Sequence, residues 1–189
     1  MICLLLACAG TGEPPLDDSP GRHDGPFQGA SECADCHPRQ VQDWTESMHA
    51  HAARSPVFRA FERLASEEHG LGEFCNECHR PLEREGLGHE GITCDVCHTA
   101  IGAGGETSTS LEHAPGTLKR GPYASAYQGA HAAQQDDFVT SSELCGSCHE
   151  ISLPSGLKVE ETASEYEASP SPASGIRCQD CHMGPNPGM

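Results

Sequence analysis

Little in this chain could fill an ordinary protein core. Hydrophobic residues make up 36% of the 189, aromatics 5%, and there is one tryptophan. A typical globular domain is about 45–50% apolar. Cations are also scarce, with 11 Lys and Arg against 28 Asp and Glu, a formal charge of −17. So few basic side chains cannot build a phosphate-binding face, which argues against a nucleic-acid partner. Long apolar runs are missing too: the short one at residues 1–9 falls far below the length of a membrane-spanning helix. With 21 Gly and 14 Pro, two classes remain. One is a disordered acidic chain. The other is a small-core scaffold held by something other than side-chain packing. The length allows one domain, or one and a half.

What the chain has in plenty is cysteine and histidine, 12 of each. Ten cysteines form five pairs, each followed at once by histidine. The motifs are Cys33-x-x-Cys36-His37, Cys75-x-x-Cys78-His79, Cys94-x-x-Cys97-His98, Cys145-x-x-Cys148-His149 and Cys178-x-x-Cys181-His182. This is the attachment signature of c-type haem. Two thiols on one helical turn can each add to a haem vinyl group, and the adjacent imidazole serves as proximal iron ligand. Zinc would need four ligands per site, and redox or structural disulfides need no histidine. At 12 histidines in 189 residues, five such neighbours arise by chance about once in a million. Five covalently bound haem c groups are expected.

Residues 1–8 read as a partial secretory signal. Leu5-Leu6-Ala7-Cys8 resembles a bacterial lipobox, which makes Cys8 the candidate lipidated residue, with Cys3 lost alongside the signal. A basic n-region is missing, so the true start would lie upstream or the start codon would be mis-called. Covalent haem attachment outside the cytoplasmic membrane gives the same address: an exported protein, periplasmic or an outer-membrane lipoprotein of a bacterium. Residues 9–30 are rich in Gly, Pro and Asp and read as a flexible tether spanning about 25 Å. The pentahaem cytochrome c domain would then occupy residues 31–189. After His182 too few residues follow to cover a haem. The last haem would sit at an exposed edge, dock on a partner, or have lost its cover to C-terminal truncation.

The expected fold class is mainly α with extensive coil, small helices and loops wrapped around a pentahaem core. Residues 39–53 carry Val41, Trp44 and Met48 at helical spacing and predict a helix ended by Ser55-Pro56. Residues 57–69 predict a second, stopped by Gly70. Residues 123–138 give a weaker third, interrupted near Gly129, and 161–168 a short fourth. Residues 101–116 read as a Gly/Ser/Thr-rich loop. Only 14 residues separate His79 from Cys94, which predicts a tightly packed haem pair there.

Seven histidines lie outside the motifs. Without His23 in the tether, six remain for five irons. His131 and His49 rank first as distal ligands, then His113, His89 and His51, with His69 last. Histidines 49 and 51 stand two apart on a helix and face opposite sides, so they could serve two haems, or one of them could bind alone. Methionine is scarce, and Met48 and Met183 adjoin histidines. Mostly bis-histidine, low-potential haems are therefore expected.

The motifs and their flanks resemble multihaem c-type cytochromes of the cytochrome c-554-like group. The carrying segments are Glu32 to His37 with Trp44 and Ser47-Met48-His49-Ala50, then Gly91 to His98, Gly121-Pro122-Tyr123, Ser142 to Glu150, and Gly175 to Met183. Periplasmic electron carriers belong to that group, and it is related to hydroxylamine oxidoreductases and pentahaem nitrite reductases. The resemblance implies distal ligation by His49 and His131. The nitrite reductases carry lysine in their catalytic motif, whereas all five motifs here carry histidine. Hydroxylamine oxidoreductases cross-link a tyrosine to haem, and nothing marks Tyr123, Tyr127 or Tyr166 for that role.

The expected function is electron transport between redox proteins, with a carrier more in keeping with the sequence than an enzyme. Ferric haem propionates would deepen the charge to roughly −22, favouring partners with a basic docking patch and salt-sensitive association. A larger cytochrome assembly is compatible, and contact with membrane would come through the lipid anchor only. The competing reading is a haem enzyme acting on a small nitrogen or sulfur compound at one open-coordinated iron.

Overall fold

A computed structural model describes residues 25–82, 85–104, 110–123, 129–153 and 155–183. Candidate Cys8, most of the tether and Tyr127 lie outside the described residues.

Nine short α-helices and three two-stranded sheets make up the described residues. The helices are α1 Ala30–Cys33, α2 Pro38–Thr45, α3 Met48–His51, α4 Pro56–His69, α5 Gly72–His79, α6 Cys94–His98, α7 Ser142–Gly146, α8 Thr162–Ala168 and α9 Cys178–His182. The strands are β1 Ala100–Gly104, β2 Ser110–His113, β3 Leu118–Gly121, β4 Ala132–Gln135, β5 Ile151–Ser152 and β6 Lys158–Glu160. Strand pairs β1·β2 and β5·β6 are antiparallel, and β3·β4 is parallel. The class is mainly α with much coil.

Local chemistry explains the longest helix. Ser55 caps α4 by accepting the Phe58 N–H, Pro56 stands at its first position, and Gly70 closes it at φ +66. The helix expected over residues 39–53 is instead two pieces. Ser47 adopts extended geometry and caps α3 with its hydroxyl, which interrupts the hydrogen-bond ladder after Thr45. Within the expected third helix, residues 132–135 are a strand. Ala132 N–H donates to Thr117 O and Asp136 N–H to Gly121 O, so these backbone groups are satisfied across a sheet. The expected loop at 101–116 contains the β1·β2 hairpin, whose Gly, Ala and Ser residues give no alternating signal.

The core is small. Phe27, Leu82, Leu87 and Val96 form it, with Ile92 and Leu111 packed alongside. Phe27 is 6% exposed and Ala30 3%, so the folded unit begins ahead of Ser31. Two carboxylates bind that leading segment. Asp95 Oδ2 accepts the Gln28 N–H at 2.7 Å, and Glu90 Oε2 accepts the Ala30 N–H at 2.9 Å. Asp95 is itself 1% exposed and pairs with Lys119 Nζ at 2.7 and 2.8 Å. The third motif therefore packs into this core, with Thr93, Asp95, Val96 and Thr99 all buried.

Candidate haem-binding site

Each of the five cysteine–histidine motifs lies on or runs out of a helical turn. Helices α6 and α9 begin at the first cysteine and end at the histidine, and α5 ends with the second motif. In the first and fourth motifs the histidine N–H donates to the first cysteine's carbonyl, at 2.8 and 2.9 Å. This i to i+4 geometry sets both thiols on one turn and sends the imidazole out beyond them. None of the ten described cysteines forms a disulfide. Among the described residues no group of three or more His, Cys, Asp or Glu converges on one metal position.

The motifs interlock through their thiols. Cys33 lies beside Cys94, Cys78 beside Cys148, and Cys145 beside Cys178. Burial pushes the Cys97 thiol up to about 12, with Cys145 and Cys148 adding to it. Burial, then Cys178, raises Cys145 to about 11. The first motif thus neighbours the third, and the fourth neighbours the second and fifth. The second and third motifs, neighbours in sequence, share none of these described thiol contacts. Their connection folds into the core instead, with Leu82 and Leu87 each 2% exposed.

Two pairs of imidazoles face each other across a gap. His37 and His131 have ring centroids 6.1 Å apart, tilted by 31°. His49 and His149 are 6.4 Å apart, tilted by 45°. An imidazole nitrogen lies about 2 Å from a metal and about 1.1 Å from its ring centre, so two rings on opposite sides of one metal stand about 6.3 Å apart. Both gaps fit one iron. In each case a motif histidine meets a histidine from outside the motifs.

The second ring nitrogens support that fit. His98 Nδ1 lies 2.5 Å from Arg120 O, His79 Nδ1 3.3 Å from Ala52 O, and His131 Nδ1 3.0 Å from Ala132 O. His149 Nδ1 lies 2.9 Å from Glu160 Oε1. An Nδ1–H engaged in this way fixes the tautomer and leaves Nε2 as the donor to a metal. The donor set and its outer partners therefore fit covalently bound c-type haem.

The other expected distal residues stand elsewhere. His113, on β2, has Nδ1 3.0 Å from Thr99 Oγ1 and meets the Phe27 ring edge-on at 5.5 Å. His51 is exposed on α3, and His89 is partly buried in the 3-10 turn Gly88–Glu90. His69 is exposed at the end of α4. Among the described residues none of these four faces a second imidazole. Sequence reading missed Phe58, which stacks on His79 at 3.9 Å and 10°. It also missed Glu160 and Gly91.

Gly91 positions His49. It holds φ +67, and a Cβ there would stand 2.4 Å from the His49 carbonyl, which accepts the Ile92 N–H at 3.0 Å. Replacing Gly91 by alanine combines the strain of a backbone conformation (φ 67, ψ −126) that L residues rarely adopt, about 1–3 kcal/mol, with that clash. The expected loss is about 2 kcal/mol or more, read as a lower urea midpoint.

Acid should also destabilise the fold. Burial lowers the affinity of His113 for a proton below the usual 6.5. Below that value the unfolded chain binds more protons than the folded one. Stability is thus full above pH 6.5 and falls as pH drops through it, which urea midpoints at neutral and mildly acidic pH would reveal.

A family model described as cytochrome c554 and c-prime matches residues 32–99, which hold the first three motifs. No curated protein matches the chain. Among solved structures, the penta-haem cytochrome c552 from Thermochromatium tepidum is similar, with a TM-score of 0.67 and 20% sequence identity. The match covers 87% of this chain and 56% of that one, so this chain spans little more than half the length of that structure. Among the described residues no helix is long and apolar enough to cross a membrane.

Proposed function

We propose that this chain, which has the fold of a multihaem c-type cytochrome, carries electrons between redox proteins on five covalently attached, mostly bis-histidine haems. One observation carries the reading: the two imidazole pairs at 6.1 and 6.4 Å. In it, His37 and His131 hold one iron and His49 and His149 another. Motif histidines 79, 98 and 182 are the proximal ligands of the remaining three. When bound, haem iron supplies one-electron redox chemistry. The chain's own part is to fix the tautomers, hold the thiols on single turns and keep the motifs in mutual contact. The proximity of cysteines from different motifs supports short spacing between the groups.

A carrier needs no substrate pocket, and two irons with an imidazole on each side offer no open position. Acidic side chains across the surface support a partner with a basic patch, with association weakening as salt rises. Export follows from the attachment chemistry, and anchoring through a lipid on Cys8 is part of the proposal. Labelled fatty acid that enters the wild-type protein and not a Cys8→Ser variant would bear that out.

The test of the carrier reading is the spectrum of the haem-loaded protein. Wholly low-spin absorption that carbon monoxide leaves unchanged supports it. A high-spin fraction that turns over nitrite or hydroxylamine would replace it with the enzyme reading.

A further inference from the structure

The chain that follows the fourth motif turns back onto that motif's own histidine. Strands β5 and β6 pair with Ile151 opposite Glu160. Beyond them, the Ala163 N–H donates to the His149 carbonyl at 3.0 Å. Ser164 donates from its backbone N–H and its hydroxyl to the Glu150 carboxylate, at 3.0 and 2.6 Å. The return leaves Glu160 Oε1 2.9 Å from His149 Nδ1, and the Thr162 hydroxyl donates to the same oxygen at 3.1 Å. His149 is therefore backed by a carboxylate. His98, His79 and His131 are each backed by a neutral backbone carbonyl.

We propose that Glu160 sets the redox potential of the iron held by His149, making it harder to reduce than the irons whose histidines rest on carbonyls. The inference depends on the axial role given to His149 above. A carboxylate is a stronger acceptor than a peptide carbonyl, and its hydrogen bond to an N–H is charge-assisted. Drawing the Nδ1 proton toward Glu160 loads negative charge on the ring and raises the basicity of Nε2. A more basic ligand favours the ferric over the ferrous state. The charge on Glu160 acts in the same direction, since reduction adds an electron close to it. Glu160 touches neither iron nor porphyrin in this scheme: it is a positioning and tuning residue acting through His149. The short hairpin and the Thr162 contact keep its carboxylate on the ring.

The experiment compares wild type, Glu160→Gln and Ser164→Ala as full-length, haem-loaded chains in a spectroelectrochemical titration. Glutamine keeps an acceptor oxygen for Nδ1–H and removes the charge. One midpoint should rise in E160Q, with the equilibrium at that site changing about tenfold, about 59 mV for one electron. Haem content and the low-spin spectrum should not change. Ser164→Ala loosens the same return loop without touching Glu160 and should leave every midpoint in place. Unchanged midpoints in E160Q at full haem content would overturn the role of Glu160 alone. So would an equal shift in S164A, or loss of the fourth haem in E160Q, either of which makes the contact merely structural. A wild-type chain carrying no haem at residues 145–149 would overturn the axial role of His149 and the inference with it.

Discussion

Replacing His131 by glycine should convert one low-spin haem into a high-spin one that binds carbon monoxide, with the number of attached haems unchanged. His131 sits outside the motifs, so the two thioether links of the first motif survive its loss. Its ring stands 6.1 Å from that of His37, the separation of two imidazoles sharing an iron. Removing the ring opens one coordination position and leaves the proximal ligand in place. The same change at His49 should open the position opposite His149. Added imidazole should restore the low-spin spectrum in both variants, because the glycine leaves a space of the right shape. The equivalent change at His51 or His69, both exposed, should leave the spectrum as it is. Difference spectra with and without carbon monoxide measure all four.

Asp95→Ala should be the most destabilising of the single substitutions considered, costing about 3–5 kcal/mol. The carboxylate is 1% exposed and makes three contacts. Two go to the ammonium of Lys119, which is 11% exposed, and one to the backbone N–H of Gln28. Alanine leaves a nearly buried cation and a part-buried N–H without their acceptor. Both costs fall on the third motif, which neighbours the first. The N-terminal segment carrying Phe27 should loosen in the same step, and hydrogen exchange at Gln28 and Ala30 should rise. Combining Asp95→Ala with Lys119→Met should recover a large share of the loss, because an apolar replacement of the whole pair leaves no unpaired charge. Urea unfolding followed by circular dichroism gives the midpoints of the two single variants and the double.

The cofactor was legible in the sequence because its attachment chemistry is contiguous. Two thiols and an imidazole within five residues need no tertiary structure to be recognised. The proposed distal ligands are a different matter. His37 and His131 stand 94 positions apart, and His49 and His149 stand 100 apart. Nothing local joins them, and only ranking and resemblance brought His131 and His49 to the front. Helix α4 was legible because Ser55-Pro56 and Gly70 fix its ends. Strand β4 was not, since Ala132–Gln135 has no alternation and is held by its pairing with Leu118–Gly121. Phe27 is the lone aromatic in a stretch that otherwise reads as tether, so composition hid its place in the core. Glu160 was invisible for a related reason. One glutamate among 28 acidic residues gains meaning only when a hairpin returns it to His149.

The scarcity of apolar side chains takes on a structural sense in this light. Among the described residues the main cluster of buried hydrophobic side chains is four residues with two more beside them. Large hydrophobics such as Val57, Phe61 and Leu64 remain exposed on α4, at 66%, 66% and 51%. Porphyrin rings held by ten thiols would supply apolar mass that the side chains do not.

The number of haems covalently attached to the purified protein tests the central claim most directly. Intact mass under denaturing conditions, read beside the absorbance of the haem-pyridine complex, gives it in one preparation. The account predicts five, one for each cysteine–histidine motif. Four or fewer on a fully matured chain would contradict it.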